Sequence, residues 1–309
     1  MTSARALLRR GVPVVVSAVA LALLFALVDA GAVLRTLSLD AVLVLVPAFA
    51  AYGGLTLLLE AHSILRLVRD RPPALSAWGA ARAKSASYLL GTLHYALGAG
   101  ALAVLLRRLS GLPLGRAAGV VLAISAADLL VLLALTAIAA GVLGLEIPAA
   151  QALGAALVLF AAGLSLLRAP FPLGPLEPLR GLAFLEALRS ASPRALAELL
   201  ALRALFAGTF VALAGTAFAA FDLSPGPARL VAGMMVVAGV AALPIAVAGL
   251  GTGQAAFLVA FRGVAEPETL LALSLVLSAG MIALRVGMGL LFAREYAREA
   301  AAEWREGLR

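Results

Sequence analysis

The feature that most constrains this chain is a series of long, almost uninterrupted apolar runs. A helix needs about 20 apolar residues to cross a hydrocarbon layer of roughly 30 Å, and eight runs approach or exceed that length. They are Val12–Leu34, Ala41–Leu65, Ser85–Leu106, Ala117–Leu145, Ala149–Leu167, Ala195–Ala220, Arg229–Ala248 and Thr269–Phe292, with a shorter ninth run at Ala255–Phe261. Backbone groups in lipid must form hydrogen bonds within their own segment, and the runs lack strand alternation, so they are predicted to be helices.

Composition supports the same class of protein. Hydrophobic residues make up 63% of the chain and charged residues 13%, whereas a soluble domain carries about 25% charged residues. The sequence therefore predicts an all-α polytopic integral membrane protein, with a single transmembrane domain over residues 1–309.

The basic residues predict the topology, because they concentrate on the cytoplasmic side of a membrane protein. If all eight runs cross with the N-terminus inside, the basic residues outside the helices divide into 13 inside and 9 outside. If Ser85–Leu106 and Arg229–Phe261 each re-enter and return to their own side, 19 lie inside, and Arg35, Arg229 and Arg262 lie outside. The second arrangement predicts about six spanning helices and two re-entrant or broken helices in the inner (cytoplasmic) membrane, with both termini cytoplasmic.

Glycine and proline favour a break in each re-entrant segment, since glycine permits sharp turns and proline interrupts helices. These residues are Gly91, Gly98 and Gly100 in the first segment, and Pro244, Gly249, Gly251 and Gly253 in the second. The alternative for Ser85–Leu106 is a single crossing helix. With two breaks, the halves 1–145 and 149–292 have opposite orientations in the membrane. This arrangement is the inverted repeat of many transporters. Residues 293–309 are predicted to form a cytoplasmic helical tail.

Several chemistries are excluded by residue counts. The chain has no cysteine and only two histidines, His62 and His94, so disulfides, thiolate metal sites, cysteine nucleophiles and histidine-rich metal clusters are ruled out. The net charge of +8 does not indicate nucleic-acid binding, because the basic residues occupy short loops between apolar runs. We expect no catalytic centre, no metal and no cofactor; the oligomeric state stays open.

Ionisable residues within the apolar runs are costly and mark functional candidates. They are Asp29, Glu60, His62, Asp128, Glu198, Arg203 and Arg285. Asp29, Glu60 and Glu198 fall near predicted helix ends and are interpreted as structural or interfacial.

The deeper residues, Asp128, Arg203 and Arg285, leave two hypotheses open. Asp128 and Arg285 form an internal pair that joins two helices, or the arginines bind an anionic headgroup with Arg203 as the second cation. His94, just before Gly98, is interpreted either as a packed, hydrogen-bonded side chain or as a proton relay.

The segment Leu243–Gln254 interrupts an apolar run and holds Gly249, Gly251, Gly253 and Gln254. A half-helix starting near Thr252 or Gln254 would direct its free amides into the membrane interior, where they attract anions. Between Pro175 and Ser190, leucines recur every three residues, which predicts a short helix in the cytoplasmic interface or, alternatively, an irregular loop with some helix.

Pro244 with Gly249-Leu250-Gly251 and Gln254 resembles the signature of the lysylphosphatidylglycerol synthase transmembrane-region family, in which a glutamate stands at the position of Gln254. Leu106–Gly111 with Arg116 and Asp128 resembles its basic loop and following helix, and Arg285 with Gly289 its last helix. The resemblance implies a flippase-like module, here without the soluble synthase domain.

Together these observations predict a lipid transporter that moves or binds an anionic phospho- or isoprenoid lipid, with membrane lipids as its partners. The alternatives are a small-solute transporter and a non-transporting membrane assembly subunit. A lipid-phosphate enzyme is least favoured, because such enzymes gather acidic residues around Mg²⁺, and the acidic residues of the cytoplasmic loops, Asp70, Glu177 and Glu186, are widely spaced.

Overall fold

The computed structural model describes residues 38–306, apart from 69–74, 94, 143, 145–146, 172–173, 175–176 and 242–250. The first predicted segment, Val12–Leu34, therefore lies outside the described residues, as do Asp29, His94, Pro244 and Gly249. In the described part, all regular secondary structure is helical, and the one β-bridge joins Arg262 to Ala265. The predicted all-α class is confirmed for this part of the chain.

Eleven α-helices follow one another along the described ranges. They are α1 Leu39–Val68, α2 Ala77–Leu93, α3 Tyr95–Ser110, α4 Leu114–Val142, α5 Ile147–Arg168, α6 Glu177–Arg180, α7 Glu186–Ser190, α8 Pro193–Ala220, α9 Pro227–Ala241, α10 Thr252–Ala260 and α11 Pro267–Glu306. A single 3₁₀ turn, Ala183–Leu185, lies between α6 and α7.

Local sequence sets where these helices begin. Serine hydroxyls accept hydrogen bonds from free backbone amides in the first turns of α1, α2 and α8, as N-capping residues do. The capping serines are Ser38, Ser76 and Ser192, with N···O distances of 3.0 to 3.1 Å. Helices α8, α9 and α11 begin at prolines, which suit the first helical position because the missing N–H would have no helical partner there.

Within the described ranges, four helices are by length and composition able to cross a membrane: α1, α8, Leu114–Ala139 of α4 and Pro267–Phe292 of α11. At 1.5 Å per residue, the 30 residues of α1 extend about 45 Å. Two shorter apolar stretches are Val158–Arg168 and Pro227–Ala241. These helices make the chain a membrane protein with several transmembrane helices.

The chain divides into two compact units built from non-contiguous segments. Unit 1 comprises 1–52, 129–161 and 204–281, and unit 2 comprises 53–128, 162–203 and 282–309. The boundaries fall inside α1, α4, α5, α8 and α11. The predicted halves 1–145 and 149–292 are continuous stretches of the chain, whereas the two compact units are not. The division into halves stays a prediction.

The first segment predicted to be broken is a pair of antiparallel helices within unit 2. Gly91 of α2 and Gly98 of α3 touch so closely that a β-carbon at Gly98 would lie 2.6 Å from the Gly91 Cα. Residues seven apart in one continuous helix would be separated by about 10 Å. The alternative of one continuous helix over Ser85–Leu106 is therefore wrong, and the predicted break is confirmed.

The second such segment, in unit 1, is also antiparallel. The Arg229 guanidinium, near the start of α9, donates hydrogen bonds to two carbonyl oxygens at the end of α10, those of its last residue, Ala260, at 3.3 Å and of Arg262 at 2.6 Å. At the other end of the pair, a β-carbon at Gly253 would lie 3.8 Å from that of Ala241. We refer to α2–α3 and α9–α10 as the two helical hairpins.

The leucine-rich segment 175–190 is not one amphipathic helix. It is split into α6, the 3₁₀ turn and α7, because Leu182 has an extended backbone and Gly181 closes a turn onto the Pro178 carbonyl. Contact with α4 explains the interruption, since a β-carbon at Gly119 would lie 2.7 Å from the Phe184 oxygen. The alternative prediction, an irregular loop with some helix, is correct.

Candidate ion-pair site in unit 2

Arg203 is the centre of the site. It lies ten residues after the first residue of α8, about 15 Å along the helix axis, and its side chain is 0% exposed. Its guanidinium donates hydrogen bonds to the Leu59 carbonyl oxygen at 3.3 Å and to the Ser63 hydroxyl, both on α1. A buried guanidinium needs hydrogen-bond acceptors in several directions. Helix α1 supplies two of them, a backbone carbonyl and a serine hydroxyl.

Glu60, between these two residues on α1, supplies a carboxylate. Its Oε1 atom lies 3.2 Å from Arg203 Nη1 and 3.1 Å from Lys84 Nζ on α2, and its side chain is 5% exposed. The other oxygen, Oε2, has no hydrogen-bond donor among the described residues. Two cations within 3.2 Å of one buried oxygen compensate the desolvation of the carboxylate.

Asp128 on α4 completes the site from the other side of Arg203. Its Oδ1 atom lies 3.4 Å from Arg203 Nη1, a longer distance than either contact of Glu60, and its side chain is 44% exposed. Within the described part of the chain, Arg203 is its only ion-pair partner. The Asp128 carboxylate is therefore the most accessible and most weakly held charge of the site.

These four side chains form what we call the ion-pair network, in the order Lys84, Glu60, Arg203, Asp128. Positive and negative charges alternate, so the network is formally neutral. The sequence analysis recognised one deep carboxylate, Asp128, and the structure adds a second, Glu60, which compensates the charge of Arg203.

The predicted Asp128–Arg285 pair is wrong, since Asp128 pairs with Arg203. Arg285 on α11 is exposed and lies within electrostatic reach of the Tyr88 ring on α2. In the described ranges, Arg285 takes part in no ion pair. Of the three deep candidates, the structure thus brings together Arg203 and Asp128.

The exposed side of Asp128 adjoins an apolar surface. One turn earlier on α4, the Ser125 hydroxyl lies 2.6 Å from the Tyr95 hydroxyl of α3. Tyr95 and Leu97 at the start of α3 are exposed, as is Leu122 on α4. A carboxylate beside a polar hydroxyl pair and exposed apolar side chains forms an amphipathic surface.

A second group of ion pairs lies nearer the helix ends. Arg66 Nε is 3.1 Å from Glu198 Oε2, and Arg194, one turn before Glu198 on α8, is 3.2 Å from its other oxygen. His62 accepts a hydrogen bond from Arg66 at 3.3 Å. These side chains are partly or largely exposed, so Glu198 is a peripheral structural residue as predicted.

The predicted glycine turn belongs to unit 1. Helix α10 begins at Thr252, and Gly251 before it has φ +87°, a conformation that favours glycine. The Gly251 amide donates to Gln254 Oε1 at 2.6 Å, and Gln254 Nε2 donates to Ser278 at 2.9 Å. The amide expected to attract an anion is therefore occupied by the buried Gln254 side chain.

The other candidates are placed as follows. Gly253 lies in the first turn of α10 and is half-buried, while Gly249 and His94 lie outside the described residues. Across the described ranges, His, Asp and Glu side chains gather nowhere into a group of three that could hold a metal ion.

Sequence reasoning missed Glu60 and Lys84 as members of the site. Glu60 was assigned to a helix end, but α1 continues to Val68, so Glu60 lies eight residues before its last residue. Lys84 was counted as a loop charge, yet it lies within α2. One available signal was the small-residue composition of 77–87, which is typical of a closely packed helix in a membrane.

Comparison with known proteins adds no assignment: no protein-family model matches the chain, and no curated protein matches it.

Proposed function

We propose that this chain transports an anionic lipid, with a phospho- or isoprenoid-phosphate headgroup, across the cytoplasmic membrane. The headgroup binds Arg203 by taking the place of the Asp128 carboxylate. The observation that carries this proposal is the Asp128–Arg203 pair between apolar helices, in which Arg203 is buried and the Asp128 carboxylate is 44% exposed.

The proposed topology has six spanning helices and both termini in the cytoplasm. The hairpins α2–α3 and α9–α10 enter the membrane and return to the side from which they start, which gives the two halves opposite orientation. Two antiparallel hairpins and the distribution of basic residues support this arrangement.

The depth of the network supports a role in transport. Asp128 is 14 residues from the start of α4, about 21 Å along its axis, and Arg203 is about 15 Å into α8. Charged groups at such depth in a spanning helix are costly and usually mark a pathway or a binding site. A purely structural network would gain little from leaving one carboxylate 44% exposed.

The chemistry of the exposed side supports an anionic lipid. A guanidinium binds phosphate oxygens through paired hydrogen bonds, much as it binds carboxylates, so a phosphate can replace Asp128. The exposed apolar side chains Tyr95, whose hydroxyl lies against Ser125, and Leu122 offer a surface for acyl or isoprenoid chains beside the headgroup. The resemblance to the lysylphosphatidylglycerol synthase transmembrane region agrees with such a substrate.

A reconstitution experiment tests the proposal. Purified protein is placed in vesicles with fluorescent phosphatidylglycerol or phosphatidylcholine, and lipid translocation is followed by quenching of the outer leaflet. We expect faster translocation of phosphatidylglycerol than in protein-free vesicles, with a smaller effect on phosphatidylcholine. Arg203→Lys keeps the charge but loses the forked geometry, so it should slow phosphatidylglycerol, while Arg194→Gln, at a side chain 90% exposed, should not.

Two results would replace the proposal. Uptake of a water-soluble organic phosphate without lipid movement would favour a small-solute transporter. If neither cargo moves and phosphatidylglycerol binding is unaffected by Arg203→Lys, the network is structural, and the chain is better described as a membrane assembly subunit.

A further inference from the structure

We infer that Asp128 is a proton carrier, so that the anionic headgroup binds Arg203 together with one proton. This inference rests on the proposed function and adds a second substrate, the proton, to the same site. It predicts that lipid binding is coupled to protonation one for one.

The charge balance of the ion-pair network motivates the coupling. Lys84, Glu60, Arg203 and Asp128 sum to zero, so an added phosphate leaves the buried site with an uncompensated negative charge. Uncompensated charge in a low-dielectric interior is strongly unfavourable. Protonation of one carboxylate restores neutrality when the anion binds.

Geometry selects Asp128 over Glu60 as the residue that takes the proton. Glu60 lies within 3.2 Å of both Lys84 and Arg203 and is almost fully buried. Asp128 has one cation, Arg203, at the longer distance of 3.4 Å, and its side chain, at 44%, is the most exposed of the four. The anion must also displace a carboxylate from Arg203 Nη1. The more weakly held of the two carboxylates at this nitrogen is again Asp128.

The charged groups around Asp128 come from three other helices. Arg203 on α8 faces it directly, and Lys84 on α2 and Glu60 on α1 lie within electrostatic reach. Lys84, Glu60 and Arg203 are each within 3.2 Å of an opposite charge, so Asp128 is the member of the network whose charge changes in this scheme.

The step balances as follows. A proton from water converts the Asp128 carboxylate to the neutral acid, which releases Arg203 Nη1, and a phosphate oxygen of the headgroup accepts the freed hydrogen bond. When the lipid leaves, Asp128 returns its proton to water and pairs with Arg203 again. The four side chains are neutral before binding, and the four side chains together with the singly charged headgroup are neutral after it, so one proton accompanies one headgroup charge.

The test is an equilibrium binding titration of the full-length detergent-solubilised protein with phosphatidylglycerol, from about pH 5.5 to about pH 8.5. The phosphodiester keeps a single charge over this range, so the probe itself does not titrate. For one coupled proton, the affinity of the wild-type protein should rise as pH falls, by up to about tenfold per pH unit.

The variants locate the effect at Asp128. Asp128→Asn mimics the protonated acid, so it should bind phosphatidylglycerol tightly and without pH dependence, whereas Asp128→Glu should keep the dependence. His62→Gln is the control, because His62 is an exposed histidine on α1 that lies outside the network. This control should behave like the wild-type protein.

The outcomes separate the inference from the function on which it rests. If wild-type protein binds phosphatidylglycerol with the same affinity at every pH, or if Asp128→Asn keeps the wild-type pH dependence, proton coupling fails and lipid binding stands. If the lipid binds neither protein at any pH, the proposed lipid site fails, and the coupling fails with it.

Discussion

The energetic cost of unbalancing the ion-pair network can be worked out from its geometry. Glu60 → Gln removes the negative charge that lies 3.2 Å from Arg203 and 3.1 Å from Lys84, while both cations stay in place. Arg203 is fully buried, so it keeps only the longer contact to Asp128 as an ion pair in the described network. Removing one partner of a buried pair typically costs 3–5 kcal/mol, and we expect a loss of about that size.

A second substitution tests whether this loss comes from charge imbalance. Lys84→Met alone leaves Glu60 with one cation instead of two, and it should also destabilise the protein. In the Glu60→Gln, Lys84→Met double variant, Arg203 and Asp128 remain as a balanced pair. The double variant should therefore lose less than the sum of the single losses, with a coupling free energy of roughly 1–3 kcal/mol.

The assay is equilibrium unfolding in mixed micelles, followed by loss of helical circular dichroism. Arg194→Gln serves as the control, because its exposed pair with Glu198 should contribute less than about 1 kcal/mol. If the two single losses add to within about 0.5 kcal/mol, the side chains do not interact energetically, and the reasoning about the network is refuted.

Three further predictions concern the hairpins and the topology. Gly98→Leu should destabilise the protein by at least about 1–3 kcal/mol, since its β-carbon would lie 2.6 Å from the Gly91 Cα. A β-carbon at Gly100, which is exposed, would meet nothing within 4 Å, so Gly100→Leu should be tolerated better, and unfolding in mixed micelles compares the two variants. Gly251→Leu should insert normally but slow lipid translocation in vesicles, because φ +87° strains a residue with a β-carbon; wild-type rates would remove this turn from the mechanism. A cysteine placed at Arg180 in this cysteine-free chain should resist a membrane-impermeant reagent applied to intact cells, and labelling from outside would contradict the cytoplasmic position of that loop.

The sequence predicts the class of fold well because the hydrophobic effect acts on whole segments. Apolar runs longer than a bilayer's thickness predict helices without knowledge of tertiary contacts. The two breaks were also predictable, since both segments are rich in glycine. Gly91 and Gly98 lie within α2 and α3, where they allow the close contact between these helices, and Gly251 precedes α10 with a positive φ.

The site was less predictable because ion pairing depends on which helices are neighbours. Arg203 and Asp128 were recognised by their depth, but the one ion pair considered for Asp128, as one of two open hypotheses, was with Arg285, since chain order contains no information about helix adjacency. Glu60 was missed because α1 extends a few residues beyond its predicted apolar run. The carboxylate that was expected at a helix end therefore lies buried within the helix.

The central claim is that the Asp128–Arg203 pair opens and closes as lipid is transported, and a parallel measurement of binding and translocation for Asp128→Asn tests it directly. With the Asp128 charge removed, no carboxylate competes with the headgroup for Arg203. The account predicts that this variant binds phosphatidylglycerol more tightly than wild-type protein, yet translocates it in vesicles about tenfold more slowly, because release would need about 1.4 kcal/mol more. Wild-type binding and wild-type translocation in the same Asp128→Asn preparation would contradict it.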